Sequence, residues 1–388
     1  MAERRLRRTS AWLLLFFLLQ GELGAIWDRE WHAFVGRDQF WTPPHILIYS
    51  CVAGAGFVAL AVVLLDTARY RRGTPGVNDI STVRILWLFH APLGFTIAGF
   101  GALTALAAVP LDNYWHELYG IDIALWAPFH MMGVTGGVIG IIGIIYTFAS
   151  EAALDRQARR SPRQFLGFSA LELGALMTLA GLLNFTLTGF LQFPIVTIGP
   201  LRISTYPLPL AVCASFCLIA AVRLTLRPGA ATLVVLLLLL HTLAAEIFIP
   251  WAIRTAVAQQ GLVYRIPGHA PFFSLAAAFL ALLFLVSALI VDGAVLWRLR
   301  HSGKPGSPMP GVWLIGAILT LPELMIAPFM LNSISKFAPV FLQQPGSMIP
   351  PALNLLAVLL TVLAVLLIGS IGAVLGADFG DIWHWSTR

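Results

Sequence analysis

Residues 351–376 read PALNLLAVLL TVLAVLLIGS IGAVLG, and this stretch decides how the chain folds. It carries no charged side chain, and it exceeds the roughly 20 residues a helix needs to cross a bilayer. A membrane β-barrel would instead show segments of about ten residues alternating apolar and polar. Runs of the same kind recur near 10–26, 45–65, 85–108, 127–149, 165–191, 207–225, 229–251, 270–296 and 311–331. The sequence therefore predicts an all-α polytopic integral membrane protein with about ten transmembrane helices.

The composition agrees. Of 388 residues, 59% are hydrophobic and 11% are charged. A soluble domain carries about 25% charged residues to cover its surface, so most of this surface must face lipid or apolar neighbours. The net charge of +6 is no sign of a nucleic-acid partner, because the arginines fall in the loops between apolar runs. Arg69, Arg71, Arg72 and Arg84 flank one loop, and Arg156, Arg159, Arg160 and Arg163 lie in the second loop after it. Arg223 and Arg227, then Arg298, Arg300 and Lys304, mark later loops of the same parity; Arg254 and Arg265 are the exceptions. Basic loops stay in the cytoplasm, so both termini are predicted there, in the inner membrane of a bacterium. Arg4, Arg5, Arg7 and Arg8 precede the first apolar run. That run reads as a signal-anchor span over 1–26, with a signal peptide cleaved near Gly24-Ala25 as the alternative. Residues 27–150 read as a duplicated metal-binding helix region and 151–388 as a six-helix bundle.

The duplication lies on the opposite, periplasmic face. The first copy runs Trp27-Asp28-Arg29-Glu30-Trp31-His32 and on to Trp41-Thr42-Pro43-Pro44-His45. The second runs Asp112-Asn113-Tyr114-Trp115-His116 and on to Trp126-Ala127-Pro128-Phe129-His130. Residues four apart share a helix face, which pairs Asp28 with His32 and Asp112 with His116. The third histidine of each set opens the next span, behind a proline suited to helix starts. Two imidazoles and a carboxylate suit Cu(II), Zn(II), Fe(II) or Mn(II) better than calcium or magnesium. Three protein ligands leave positions open for water, oxygen or substrate. Glu30, Asp38, Glu117 and Asp122 read as neighbours of the ligands or as solvated groups. The tryptophans read as an interfacial belt.

Asp28-x3-His32-x12-His45, with Arg37-Asp38 and Phe40-x-Thr42-Pro43-x-His45-Ile46, resembles the metal-binding stretch in the C subunit of copper-dependent membrane monooxygenases, the particulate methane and ammonia monooxygenases. His116 and His130, with Ala127-Pro128, are similar to that family's second site, where Asp112 replaces an asparagine. The likeness covers residues 27–145 and leaves the later six spans without a counterpart. It implies copper as the cofactor, with zinc or iron as alternatives. It also implies oxidation of a small apolar substrate by O2, other membrane subunits, and a periplasmic copper-binding or electron-donating subunit. A copper-handling or transport protein, or a non-catalytic subunit of a larger membrane complex, remains the alternative.

The second half offers scattered polar groups. His90, Glu172, Asn184, His241, Glu246, Asp292 and Glu323 fall in or near predicted spans, and ionisable groups there face a bundle interior or cavity. Cys51, Cys213 and Cys217 lie in apolar runs and read as small buried hydrophobes. Gly54-x-Gly56 and the run from Gly133 to Gly143 suit close helix packing.

Overall fold

The computed structural model describes residues 2–36, 39–119, 126–159, 162–189, 195–302, 311–332 and 354–384. The helices are α1 Ala2–Phe34, α2 Pro43–Arg71, α3 Leu93–Tyr119, α4 Pro128–Gln157, α5 Ala170–Gly189, α6 Pro207–Thr225 and α7 Ala230–Gln260. After them come α8 Leu275–Ala278, a 3-10 turn Phe279–Phe284, α9 Leu285–Ser302, α10 Val312–Asn332 and α11 Leu355–Asp381. Among the described residues nine helical stretches are long and apolar enough to cross a membrane, and Val312–Ala327 is a shorter apolar helix. The protein is thus a polytopic α-helical membrane protein: nine of the ten predicted spans fall on such helices, and the one predicted near 311–331 falls on the shorter helix.

Three short antiparallel hairpins punctuate the helices, and the sequence reading did not anticipate them. They pair β1 Thr82–Ile85 with β2 Phe89–Pro92, β3 Gln164–Phe165 with β4 Phe168–Ser169, and β5 Ile195–Ile198 with β6 Leu201–Ser204. The first corrects the predicted start of the third span, because α3 begins at Leu93 and not at 85. His90 accordingly lies outside the helix, on β2. It stacks on Tyr70 with ring centroids 3.8 Å apart, and its Nε2 pairs with Asn78 Oδ1 at 3.1 Å. Leu86, Trp87 and Leu88 form an exposed apolar tip, which hydropathy alone reads as more span. The fifth span likewise starts later than predicted, behind β3 and β4.

The chain divides into two compact units. One comprises residues 1–28, 38–181 and 383–388; the other comprises 29–37 and 182–382. The division passes through α1 and α5, which are each continuous helices.

In the first unit α3 and α4 meet along a seam of small residues. A Cβ on Gly94 would stand 2.6 Å from the Thr147 nitrogen, and one on Gly136 would stand 2.6 Å from the Ala105 nitrogen. Side chains on Gly101 and Gly143 would overlap the backbones of Gly140 and Ala98. Small residues at a helix interface let backbones approach and gain van der Waals contact where lipid supplies no hydrophobic drive. The seam runs toward the end of α3 that carries Asp112 and His116. α1 and α2 pack in a related way: side chains on Gly21 and Gly54 would strike Cys51 and Phe17.

The first turns of α1 are fastened by ion pairs. Arg7 is 1% exposed; its guanidinium donates to Asp66 of α2 at 2.7 Å, to Asp79 at 2.6 Å and to the Val77 carbonyl at 2.7 Å. Arg8 donates to Asp155 of α4 at 2.6 Å, and both Arg4 and Arg8 reach Glu151 at 3.1 Å. A buried guanidinium is tolerable only when its donors are met in this way.

The second unit repeats the small-residue device. Gly372 and Gly376 of α11 leave no room for a Cβ against the Val212 and Phe216 carbonyls of α6. Asp292 of α9 accepts from the Thr232 amide at 2.8 Å and the Thr232 hydroxyl at 2.7 Å. It satisfies donors in the first turn of α7, which has no side-chain cap of its own.

Candidate metal centres

Each copy of the acid–histidine pattern folds as two antiparallel helices joined at one end. The acid and first histidine lie near the C-terminal end of the first helix. The second histidine is the third residue of the next helix, after Pro43-Pro44 in α2 and after Pro128-Phe129 in α4. Proline fits these positions because the first turn has no helical partner for its missing N–H.

Asp112, His116 and His130 converge in the first unit. His116 Nε2 stands 3.4 Å from Asp112 Oδ2, and His130 Nε2 stands 3.2 Å from the same oxygen. The two imidazoles lie 5.4 Å apart between centroids, inclined by 54°. All three ligand atoms fall within 4.8 Å of one another. A charge-assisted hydrogen bond draws its atoms to about 2.7–2.9 Å. Ligands held about 2.0–2.1 Å from a tetrahedral ion stand roughly 3.3–3.4 Å apart, by the geometry of that coordination. The observed separations fit the second arrangement better. The other carboxylate oxygen, Asp112 Oδ1, is buried and meets no hydrogen-bond donor among the described residues. A group three-quarters or more shielded from water, with an unmet anionic oxygen, suits a cation. The donor set passes the test of fit for a borderline transition metal.

Asp28 and His32 lie one turn apart on α1, and His45 opens α2. Asp28 and His45 both belong to the first unit, while His32 falls in the stretch 29–37 assigned to the second. His45 Nδ1 lies 3.0 Å from the Gln39 carbonyl. A carbonyl can only accept, so Nδ1 carries the proton and Nε2 presents its lone pair. That lone pair faces Asp28 Oδ1 at 3.2 Å. A lone pair against a carboxylate is repulsive unless a cation stands between them or the ring gains a second proton. A backbone carbonyl holding the far nitrogen is the usual way a metal-binding imidazole is oriented.

Within the first unit the structure therefore brings together Asp112, His116 and His130, and pairs Asp28 with His45. Their neighbours fare differently. Glu117 is exposed and accepts from Asn113 at 3.0 Å. Glu30 is 0% exposed, so it is not solvated. Asp38 and Asp122 lie outside the described residues, as does Arg37 of the resemblance. Trp41 and Trp126 are exposed, as belt residues would be, but Trp31 is 2% exposed and packs inside. The orienting role of Gln39 was missed; it acts through its main chain, which no side-chain pattern announces.

No family model, curated protein or solved structure matches this chain. The geometry of the two clusters is accordingly the ground on which a function is argued.

Proposed function

We propose that this protein is a membrane metalloprotein holding two transition-metal ions, one at Asp112, His116 and His130 and one at Asp28, His32 and His45. The convergence of Asp112, His116 and His130 carries the reading. The repeat of the same ligand set in the first copy supports it. Copper is the favoured ion, by resemblance to the membrane monooxygenases and by the two-imidazole, one-carboxylate donor set. Zinc and iron share those preferences. When bound, copper would supply redox chemistry toward oxygen at positions that three protein ligands leave open. The chain's own residues would hold the ion, and the Gln39 carbonyl would orient the His45 imidazole. On this reading the sites face the periplasm of a bacterial inner membrane, and a small apolar substrate arrives through the lipid. Other membrane subunits and a periplasmic copper-binding or electron-donating subunit would complete an oxygenase.

A second reading is copper handling without turnover. The side chains of Asp28, His45, Asp112, His116 and His130 remain 14–27% exposed, which suits exchange with a carrier.

Metal analysis of protein purified from copper-supplied membranes tests the proposal. About two copper ions per chain are expected, falling to about one in His116→Ala and in His32→Ala. A chain that holds no metal under any supply of copper, zinc or iron would overturn it. Oxygen uptake with quinol and small hydrocarbons or ammonia then separates oxygenation from handling.

A further inference from the structure

The second unit holds an acid that the metal reading does not use. Glu323 of α10 is 4% exposed, inside the apolar stretch Val312–Ala327. Neither of its carboxyl oxygens meets a hydrogen-bond partner among the described residues. It lines a small cavity with Tyr206 just ahead of α6, Leu210 and Ala211 of α6, Thr320 and Leu324 of α10, and Val365 of α11. An ionised carboxylate left so would cost several kcal/mol. A neutral carboxylic acid costs far less.

The hydroxyls nearby point to the same state. Ser287 of α9 stands beside the carboxyl, but its proton goes to the Leu319 carbonyl at 2.7 Å. The Thr320 hydroxyl is committed to the Ala317 carbonyl, also at 2.7 Å. Both oxygens are left with lone pairs to offer and no proton. Lone pairs repel a carboxylate and accept from a carboxylic acid. The titratable groups facing Glu323 are the Cys213 thiol and, across the cavity, the Tyr206 phenol. From α9 comes Ser287 and from α11 Val365. No cationic side chain among the described residues compensates a charge there. Pro322, immediately before, removes one backbone donor from α10.

We propose that Glu323 is a proton-binding site within the membrane, a carboxyl that keeps its proton in the cavity between α6, α10 and α11 and exchanges it with water. Its ligand is a proton, and the function it enables is proton uptake or delivery through the second unit. It stands apart from the metal clusters of the Proposed function and survives their failure.

Infrared difference spectroscopy and carbodiimide labelling test it on the intact protein in lipid. The wild type should show the carbonyl band of a protonated carboxyl at neutral pH. That band should shift on transfer to D2O and be lost in Glu323→Gln. A hydrophobic carbodiimide, which reacts with protonated carboxyls in apolar surroundings, should label Glu323 in the wild type as read by peptide mass spectrometry. Labelling should slow several-fold as the pH is raised. The labelling arm needs no variant, so a misfolded Glu323→Gln leaves the test intact. A wild type in which Glu323 resists labelling, or a protonated band identical in wild type and Glu323→Gln, overturns the proposal. So does a band that never exchanges in D2O.

Discussion

At the scale of the residue, the two Asp–His–His patterns were legible because their signal is local. Asp-x3-His fixes two groups on one helix face, and a proline at a helix start, two residues before the histidine, fixes the third. What was not legible depends on partners distant in sequence. Arg7 reads as one more basic residue of the leader-like segment, yet Asp66 and Asp79 bury it. Trp31 reads as a belt tryptophan and is internal. Asp112 tests the charge of the second cluster most directly, since it stands where the resembled family has asparagine. One Asp112 oxygen serves both imidazoles. Asp112→Asn keeps the shape and removes the charge. The affinity of the second site should fall by about tenfold or more, which is about 1.4 kcal/mol. Titration against a competing chelator measures it, with the first site as an internal reference. An unchanged affinity would show that the negative charge adds nothing to binding.

At the scale of the element, hydropathy located the spans but not their edges. Residues 85–92 are apolar enough to pass as helix, yet they form a hairpin with Leu86 and Trp87 at φ 47° and 63°. Few side chains adopt that region, and no glycine or asparagine announces the turn. The glycines between 133 and 143 were legible as packing residues, but their partners on α3 were not. The seam they form sets the distance between the two helices that present Asp112 and His116 on one side and His130 on the other. Gly101→Ala places a methyl group against the Gly140 backbone. Backbone cannot step aside as a side chain can, so the helices must separate or shift. Overpacking of this kind costs about 1–3 kcal/mol. The variant should lose metal from the second site while keeping the first, so that copper falls from about two ions per chain to about one. Gly140 offers a control within the same seam, because a Cβ there meets nothing within 4 Å, and Gly140→Ala should bind as the wild type does. Equal loss in both variants would mean that the seam does not set the geometry of the site.

At the scale of the whole molecule, the bilayer made the architecture readable. A chain that must satisfy every backbone group within lipid has few solutions, and helices of span length are the one that this pattern permits. Interior polar chemistry escapes that logic, because burying a charge in such a molecule depends on where its counter-charge sits. The ion pairs of Arg4, Arg7 and Arg8 with α2 and α4 show the consequence. They tie the beginning of the chain to residues 66, 79, 151 and 155, and they make the first unit cohere at the end of α1 away from Asp112, His116 and His130. Asp66 is 0% exposed and holds Arg7 on one side while Asp79 holds it on the other. Asp66→Asn leaves a buried guanidinium with half its charge compensation gone. Breaking a buried pair from one side costs about 3–5 kcal/mol, and the surviving Asp79 contact places the expected loss toward the lower figure. Arg5 is exposed, so Arg5→Gln should change stability by no more than about 0.5 kcal/mol. Thermal unfolding of the two variants in detergent compares them directly, and metal content below the transition should match the wild type in both. An Asp66→Asn protein as stable as Arg5→Gln would mean that the arginines are topology signals alone. A less stable one with its metal intact would assign them a second task, that of closing the unit whose far end carries the ligands.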